Sequence, residues 1–539
     1  MIRLPSRVTL RRFIQSNKWI ILAVAFFILW KIFLTYTLWE GRSQPPEWDD
    51  SYGYIDHIYS VVSCPSLLFC QDSTYNFSTY AGFDHLTYRL FWGSLARLIG
   101  VDAMTIFHWG FYLSIPMLVA ALLFFLRRLT DNKNLIALSL FVLALYNGAG
   151  SYHGFFWVVP SFFAVVFFFI LSGVLLDREE NWRRWAPWIF LLVPLAVFTH
   201  IIGLYAILLL FPAFAILKSL FRRNLDKLLL KKVVFSALVA LVFYLPVYAH
   251  VSRNVPYGPQ AVAREIGVRE VTAAPGEPAL PKIFETKVYK EVRLIEVLPG
   301  LRRVYFDYIE WVFRNLPATL LFTVVILLLL AKREYTVLAL YAASLAFALF
   351  STVNQYGFRA LALLWPVTFL LYAYGAWAAF QIIPTFLRKR WRVLGRMTIA
   401  AAFAGFLVFN VGYSLYWNET ENRDKNFQIS EEAISFIYEQ EPEKIVALDT
   451  LIPIYLRFKR YPSVTLVESL ADADYFCGVI LENDPAPRSR PATLFQRFFT
   501  SGAVTESNNK EEGLTGLPEQ FVVAETFENV VCYRNTARM

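Results

Sequence analysis

Two aspartates stand side by side in PPEWDDSYGYIDHI, residues 45–58, with Tyr54, Asp56 and His57 close behind them. In a helix starting at the pair, Asp50, Tyr54 and His57 share one face, and Asp49 and Asp56 share a neighbouring one. A carboxylate, an imidazole and aromatic rings on one surface can bind a hydroxylated substrate and take a proton from it. The plainer alternative is capping, in which Asp49 or Asp50 satisfies the first free amides of the helix. Asp84 and His85 form a second acid–histidine pair, open equally to a site and to an N-cap. His200, in FTHIIGLY, lies between two apolar runs. Burial there argues for a use, and a hydrogen-bonded histidine at a helix end is the commoner case. Lys31 lies deep in the first apolar run, where it either reaches outward or snorkels. No HExxH, GxSxG, CxxC cluster, Gly-rich phosphate loop or internal repeat occurs. A divalent metal is compatible with acids and histidines near one face, but nothing in the sequence requires one, so the cofactor stays open.

These residues need elements to hold them, and composition says of what kind. The chain has 539 residues, 57% hydrophobic and 17% charged, where a soluble domain has about a quarter charged. Its long apolar runs read as a polytopic membrane protein. The first, WIILAVAFFILWKIFLTYTLW, is too long for a signal-peptide core and lacks a small-residue cleavage site. About eleven spans are expected, near 19–39, 104–126, 134–150, 156–176, 186–202, 204–221, 233–251, 317–331, 335–351, 359–386 and 397–417. The run 186–221 is too long for one crossing at about 1.5 Å per residue, and is split at Thr199–Gly203. Lys and Arg gather in alternate loops: Arg3 to Lys18, Arg127 to Lys133, Arg178 to Arg184, Arg222 to Lys232, Lys332–Arg333 and Arg388 to Arg396. Positive-inside then makes the N-terminus cytoplasmic and PPEWDD extracytoplasmic. The net charge of +9 is spread over these short loops, which excludes a nucleic-acid partner.

All six histidines and all four cysteines fall at or near the outer face in this topology. Cys64 and Cys70 lie in the first outer loop, and Cys477 and Cys532 in the tail, which fits one disulfide in each segment. The alternative is four ordinary small residues. The sequons at Asn76 and Asn418 also face outward. Three soluble parts are expected outside: 40–103, 252–316 and 418–539. The first ends in DHLTYRLFWGSLARLIGVD, whose Leu86, Leu90, Phe91, Leu95, Leu98 and Ile99 recur at helical spacing around Arg89, Ser94 and Arg97. That pattern suggests a helix lying in the membrane interface. In the tail, KIVALD, SVTLVE, DYFCGVIL, FVVAE and NVVCYR read as strands and EEAISFIYEQ as a helix, giving a small α/β domain.

A cytoplasmic N-terminus, one span, then an outer loop with a paired acidic motif and an interfacial helix resembles the C-superfold (GT-C) polytopic glycosyltransferases. These include protein O-mannosyltransferases, aminoarabinose transferases and arabinofuranosyltransferases. EWDDSYGYI is similar to their acidic motif, and DHLTYRLFWGSLARLIGVD to their passage into the second helix. YGFRALALLWPVTFLLYAYGA, 356–376, is similar to a late helix of these enzymes, as is FTHIIGLY to a segment common in such chains. The oligosaccharyltransferase signature WWDYG is absent, and the tail does not match the arabinofuranosyltransferases' carbohydrate modules. The resemblance implies a mostly α membrane domain, 1–417, followed by the extracytoplasmic domain 418–539. It implies inverting transfer from a polyprenyl-phosphate sugar to a hydroxyl of a glycan, lipid or protein at the outer face of a plasma or inner membrane. Asp49 is then the base, with Asp50 the alternative. Arg359 takes the phosphate at the positive end of its helix, where the plainer reading is snorkelling. Tyr54, His57, Asp84, His85 and His200 would line the substrate site. A polysaccharide polymerase or ligase also puts histidines and arginines outside, and remains a rival. A secondary transporter would show repeats and midplane charges, which are absent.

Overall fold

A computed structural model describes residues 7–39, 49–62, 85–146, 148–149, 152–153, 159–254, 288–289, 308–309, 312–313, 316–351, 357–386, 389–417, 444–447, 465–466, 475–479, 506–507, 521–526 and 530–538. The fold is mostly helical. Helix α1 (Arg7–Trp39) is followed by α2 (Asp49–Val62), α3 (Leu86–Ile99), α4 (Ala103–Leu129) and α5 (Lys133–Ala144). Next come a small hairpin of β1 (Gly148–Ala149) and β2 (Tyr152–His153), α6 (Pro160–Leu176) and α7 (Trp182–Val197). Helix α8 (Ile201–Tyr205) runs through a π-turn (Ala206–Leu210) into α9 (Phe211–Arg222), and α10 is Lys227–Asn254. The bundle closes with α11 (Leu316–Ala331), α12 (Tyr335–Ser351), α13 (Gly357–Ile382) and α14 (Arg392–Trp417).

Each expected span falls on one of these helices. Among the described residues, five helical stretches are long and apolar enough to cross a membrane: Gln15–Tyr36, Ala103–Leu129, Ile201–Arg222, Lys227–Ala249 and Ala360–Phe386. Four shorter apolar helices accompany them. The split placed at Thr199–Gly203 coincides with the chain reversal between α7 and α8. Helix α5 stops at Ala144, short of the expected 150, because Gly148 begins the hairpin. Side-chain caps set several starts: Asp102 accepts from the Thr105 amide at 2.8 Å, Asn132 from Leu135 and Asn181 from Arg183.

Helix α13 is the centre of the bundle. It is buried along nearly its whole length and packs against α5, α6, α11, α12 and β2. By contrast α1 and α10 expose rows of large apolar side chains such as Leu22, Leu29 and Phe33, or Val234, Leu238 and Val242. Soluble proteins seldom do so, and a bilayer accounts for it. Helix α3 turns Leu98 and Ile99 outward and buries Tyr88, Arg89, Trp92, Gly93 and Ala96. The leucine stripe expected to define this helix is thus largely its outer face, and Arg89, expected among the polar residues between, faces protein. The ends of the bundle differ. One, here called the site end, is where α1 finishes and α2 and α3 lie. The other carries Arg127, Arg128, Lys133, Arg222, Arg223 and Lys227 and is called the basic end.

The tail forms a five-stranded mixed sheet of β5 (Thr465–Leu466), β4 (Lys444–Ala447), β6 (Tyr475–Val479), β9 (Val530–Asn535) and β8 (Phe521–Thr526), in that spatial order. All five runs read as strands in the sequence take part. β4 runs parallel to β5 and β6, which calls for crossover connections, and β9 is antiparallel to β6 and β8. Cys477 and Cys532 stand directly opposite each other in the β6–β9 register. A short pair joins β3 (Val288–Tyr289) to β7 (Glu506–Ser507). The expected helix EEAISFIYEQ, the pair Cys64 and Cys70, and the sequons at Asn76 and Asn418 lie outside the described residues.

Candidate active site

Three histidines that are far apart in sequence meet at the site end. His57 comes from α2, His85 from the residue before α3, and His200 from the reversal between α7 and α8. Two backbone-level ties bring them together. Thr87, in the first turn of α3, donates its amide to the Phe198 carbonyl at 2.9 Å and its hydroxyl to the Leu195 carbonyl at 3.0 Å. The start of α3 is therefore fastened to the end of α7, which sets His85 beside His200. Gly93 provides the second tie, because a Cβ there would overlap Val61, so α2 and α3 cross in close contact.

The cluster is dense. His57 Nε2 and His85 Nδ1 are 3.3 Å apart, and their ring centroids are 5.1 Å apart. The His200 ring lies 5.4 Å from that of His85. Tyr54 stacks along His57 and presents its edge to His85 and Tyr88. His57 and His200 are buried, and Tyr54 and His85 partly so. His85 holds a left-handed backbone, with φ 64°, and its side chain does not cap α3. A non-glycine residue held there is uncommon and tends to mark a functional position. His200 does cap: its Nδ1 accepts the Ile202 amide at 3.1 Å. The helix-end role foreseen for it therefore holds for one ring nitrogen, while the ring also joins the cluster. Burial first, then His85 and Arg89, hold His57 well below the ordinary histidine value. Burial likewise brings Arg89 down to about 10.

Of the residues singled out in the sequence, Tyr54, His57, His85 and His200 are brought together. Asp49 and Asp50 are the first two residues of α2, and Arg359 is in the first turn of α13. Only their backbone positions are described. Asp84 lies outside the described residues. The register of α2 sets Asp50 one turn before Tyr54 and two before His57, on the face those rings define. Sequence reasoning missed Tyr88 and Arg89, both buried in the same wall. The signal was present in the small and aromatic residues Trp92, Gly93 and Ala96 that continue their face. In a membrane, small and polar residues turn to protein while Leu, Phe and Ile turn to lipid. Among the described residues, no group of three or more His, Cys, Asp or Glu is arranged to hold a metal ion.

Lys31 neither snorkels nor stays free for a ligand. It is fully buried, and its ammonium donates to the Tyr146 carbonyl at 2.6 Å, tying α1 to the end of α5.

No family profile and no curated protein matches the sequence. Solved structures do match in shape. AglB, an archaeal oligosaccharyltransferase from Archaeoglobus fulgidus in complex with an inhibitory peptide and a dolichol-phosphate, superposes with a TM-score of 0.50 at 11% identity. The match covers 86% of this chain and 70% of AglB, and an Archaeoglobus fulgidus oligosaccharyltransferase in the apo form gives 85% and 65%. ArnT from Cupriavidus metallidurans, bound to undecaprenyl phosphate, gives 0.50 at 13% identity over 97% of this chain and 99% of its own. Both are polytopic membrane glycosyltransferases. The fold is that of the GT-C glycosyltransferases. The resemblance read from EWDDSYGYI and the interfacial helix is therefore one of architecture as well. AglB shares it although WWDYG is missing here, and the match to ArnT runs through nearly the whole of both chains.

Proposed function

We propose that the protein is an inverting glycosyltransferase that moves a sugar from a polyprenyl-phosphate donor to an acceptor hydroxyl. The observation that carries this is the meeting of His85 and His200 with Tyr54 and His57 of the helix that opens with Asp49 and Asp50, within a GT-C fold. Neighbours of the same fold are seen with dolichol and undecaprenyl phosphates. One aspartate of the pair takes the proton of the acceptor hydroxyl as that oxygen attacks the anomeric carbon, and the lipid phosphate leaves from the opposite side. Asp49, the first acid, is one candidate. The α2 register favours Asp50 equally, since it shares the face of Tyr54 and His57. Arg359 sits in the first turn of α13, where guanidinium and helix dipole act together on a phosphate. Rings and imidazoles around the aspartates would hold the sugar or the acceptor by stacking and hydrogen bonds, with Asp84 among them.

In this reading about eleven helices cross the membrane. The N-terminus is cytoplasmic, and 40–103, 252–316 and the α/β domain 418–539 are extracytoplasmic. Pairing of β3 with β7 suits this topology, because it needs 252–316 and the tail on one side. Cys477 and Cys532, opposite in register, would be bridged there, as would Cys64 and Cys70. The acceptor is a glycan, a lipid or a protein.

The test uses purified full-length protein with lipid-linked sugars extracted from native membranes. Transfer that survives in both Asp49→Asn and Asp50→Asn would show the pair to be structural, since Asn caps a helix about as well as Asp.

A further inference from the structure

Arg89 has no part in the chemistry above, yet it is only 4% exposed in the wall of the histidine cluster. A cation withdrawn from water on an interfacial helix is costly, and the neighbouring Arg97 is exposed as most such arginines are. The register of α3 puts Arg89 inside, on the face shared with Tyr88, Trp92, Gly93 and Ala96. The absence of a side chain at Gly93 lets α2 approach α3 closely at Val61. Across that contact His57 and His85 meet nitrogen to nitrogen. Two imidazoles joined in this way hold one proton between them, because a second would set two donors facing each other.

The geometry points to Arg89 as a positioning residue. Its guanidinium, one turn beyond His85, keeps both rings of the His57–His85 pair neutral, so that beyond their shared contact the pair offers one donor and one acceptor in a fixed arrangement to a hydroxylated ligand. Burial and the charges on His85 and Arg89 all act on His57 in this direction. Other titratable groups surround the pair. Helix α2 itself carries Asp49, Asp50, Tyr54, Asp56 and Tyr59, and Asp84 precedes His85. Tyr88 lies on α3. Helix α4, packed against α2, carries His108 and Tyr112, and the Asp102 carboxylate is engaged by Thr105. His200 is committed too: its Nδ1 accepts the Ile202 amide, so the neutral ring carries its proton on Nε2.

The catalytic use of this arrangement rests on the transferase reading, whereas the protonation state does not. The experiment is nitrogen-15 NMR of histidine-labelled full-length protein in lipid nanodiscs, with His57 and His85 assigned through His57→Gln and His85→Gln. In the wild type both rings should be neutral at pH 6.5, with one N–H each, and the pair should take up an extra proton only well below it. Arg89→Gln should raise that midpoint by about one pH unit, and Arg89→Lys should bring it back. A wild-type pair that gains this extra proton at or above pH 6.5 overturns the proposal whether or not any variant folds. An unmoved midpoint in folded Arg89→Gln also overturns it. Sugar transfer measured on the same samples keeps the two ideas apart, since titration as expected with no transfer by the wild type counts against the transferase reading alone.

Discussion

Buried polar groups are handled differently at the two ends of the bundle. At the basic end Lys232 is fully buried and donates to the Val174 and Asp177 carbonyls at 3.1 and 2.6 Å, closing the C-terminus of α6. Lys218 pairs with Asp226 at 2.9 Å, and Arg128 with Asp177 at 3.0 Å. Each contact places a cation at the C-terminal end of a helix and ties it to another segment, which is where a cation suits the helix dipole. At the site end, imidazoles from three separate segments face one another instead, and only one of them, His200, serves a helix end. A fold needing only stability would cap α3 with the side chain at its N-cap, yet His85 spends its ring on the cluster in a left-handed backbone. The difference sets the basic end, where cations close helix ends, apart from the site end, whose ring cluster is the part that the proposed transferase reading would give to a ligand.

Substitutions can break that contrast, and the largest effect is expected at the acids. Asp49→Asn or Asp50→Asn in the base should lower transfer by about 10²–10⁴-fold with donor binding retained, measured by turnover beside lipid-phosphate binding. Arg359→Ala should weaken donor binding first, by about ten- to hundredfold, the scale of a lost charge-assisted hydrogen bond. His200→Asn sharpens the comparison most. Asn keeps the cap on Ile202, so the melting temperature should hold while transfer falls, and a fall in both would return His200 to a purely structural role. Lys232→Met should do the reverse, costing about 1–3 kcal/mol in stability by leaving carbonyls unpaired, with turnover per folded molecule unchanged.

The smallest effect is a pH dependence of stability. Unfolded His57 takes its proton near the ordinary value of 6.5, and folded His57 takes it only at lower pH. Below 6.5 the unfolded state binds more protons, so stability should fall as the pH drops, with a slope of at most about 1.4 kcal/mol per unit from this group. Thermal melts of His57→Gln should lose that part of the slope. An identical slope in the variant would assign it to other groups.

Much of the fold was legible because membrane helices announce themselves by length and apolarity, and all the expected spans landed on helices. The tail strands were legible for a similar reason: short β-branched and aromatic runs such as FVVAE and NVVCYR leave few other choices. Pairing order was not, since the β5–β4–β6–β9–β8 arrangement depends on contacts between distant segments. At the site, helical spacing alone grouped Tyr54 with His57. Their meeting with His85 and His200 needed the Thr87 ties and the α2–α3 crossing, which no local pattern encodes. Arg89 was missed because the leucine pattern suggested an interfacial helix without saying which of the polar residues between the leucines would face protein.

The π-turn at Ala206–Leu210 bears on which changes of length the chain can absorb. A π-turn holds one residue more than the α-helical turn it replaces. Helix α8 on one side and α9 on the other can therefore keep their alignment if that extra residue is lost. Leu209 within the turn is 49% exposed and outside the buried row of Ile207, Leu210, Phe211 and Phe214. A one-residue deletion at Leu209 is thus the shortening this helix should accept, leaving His200 and the basic end in phase. The same deletion a few residues later, inside α9, would rotate everything beyond it by about 100°.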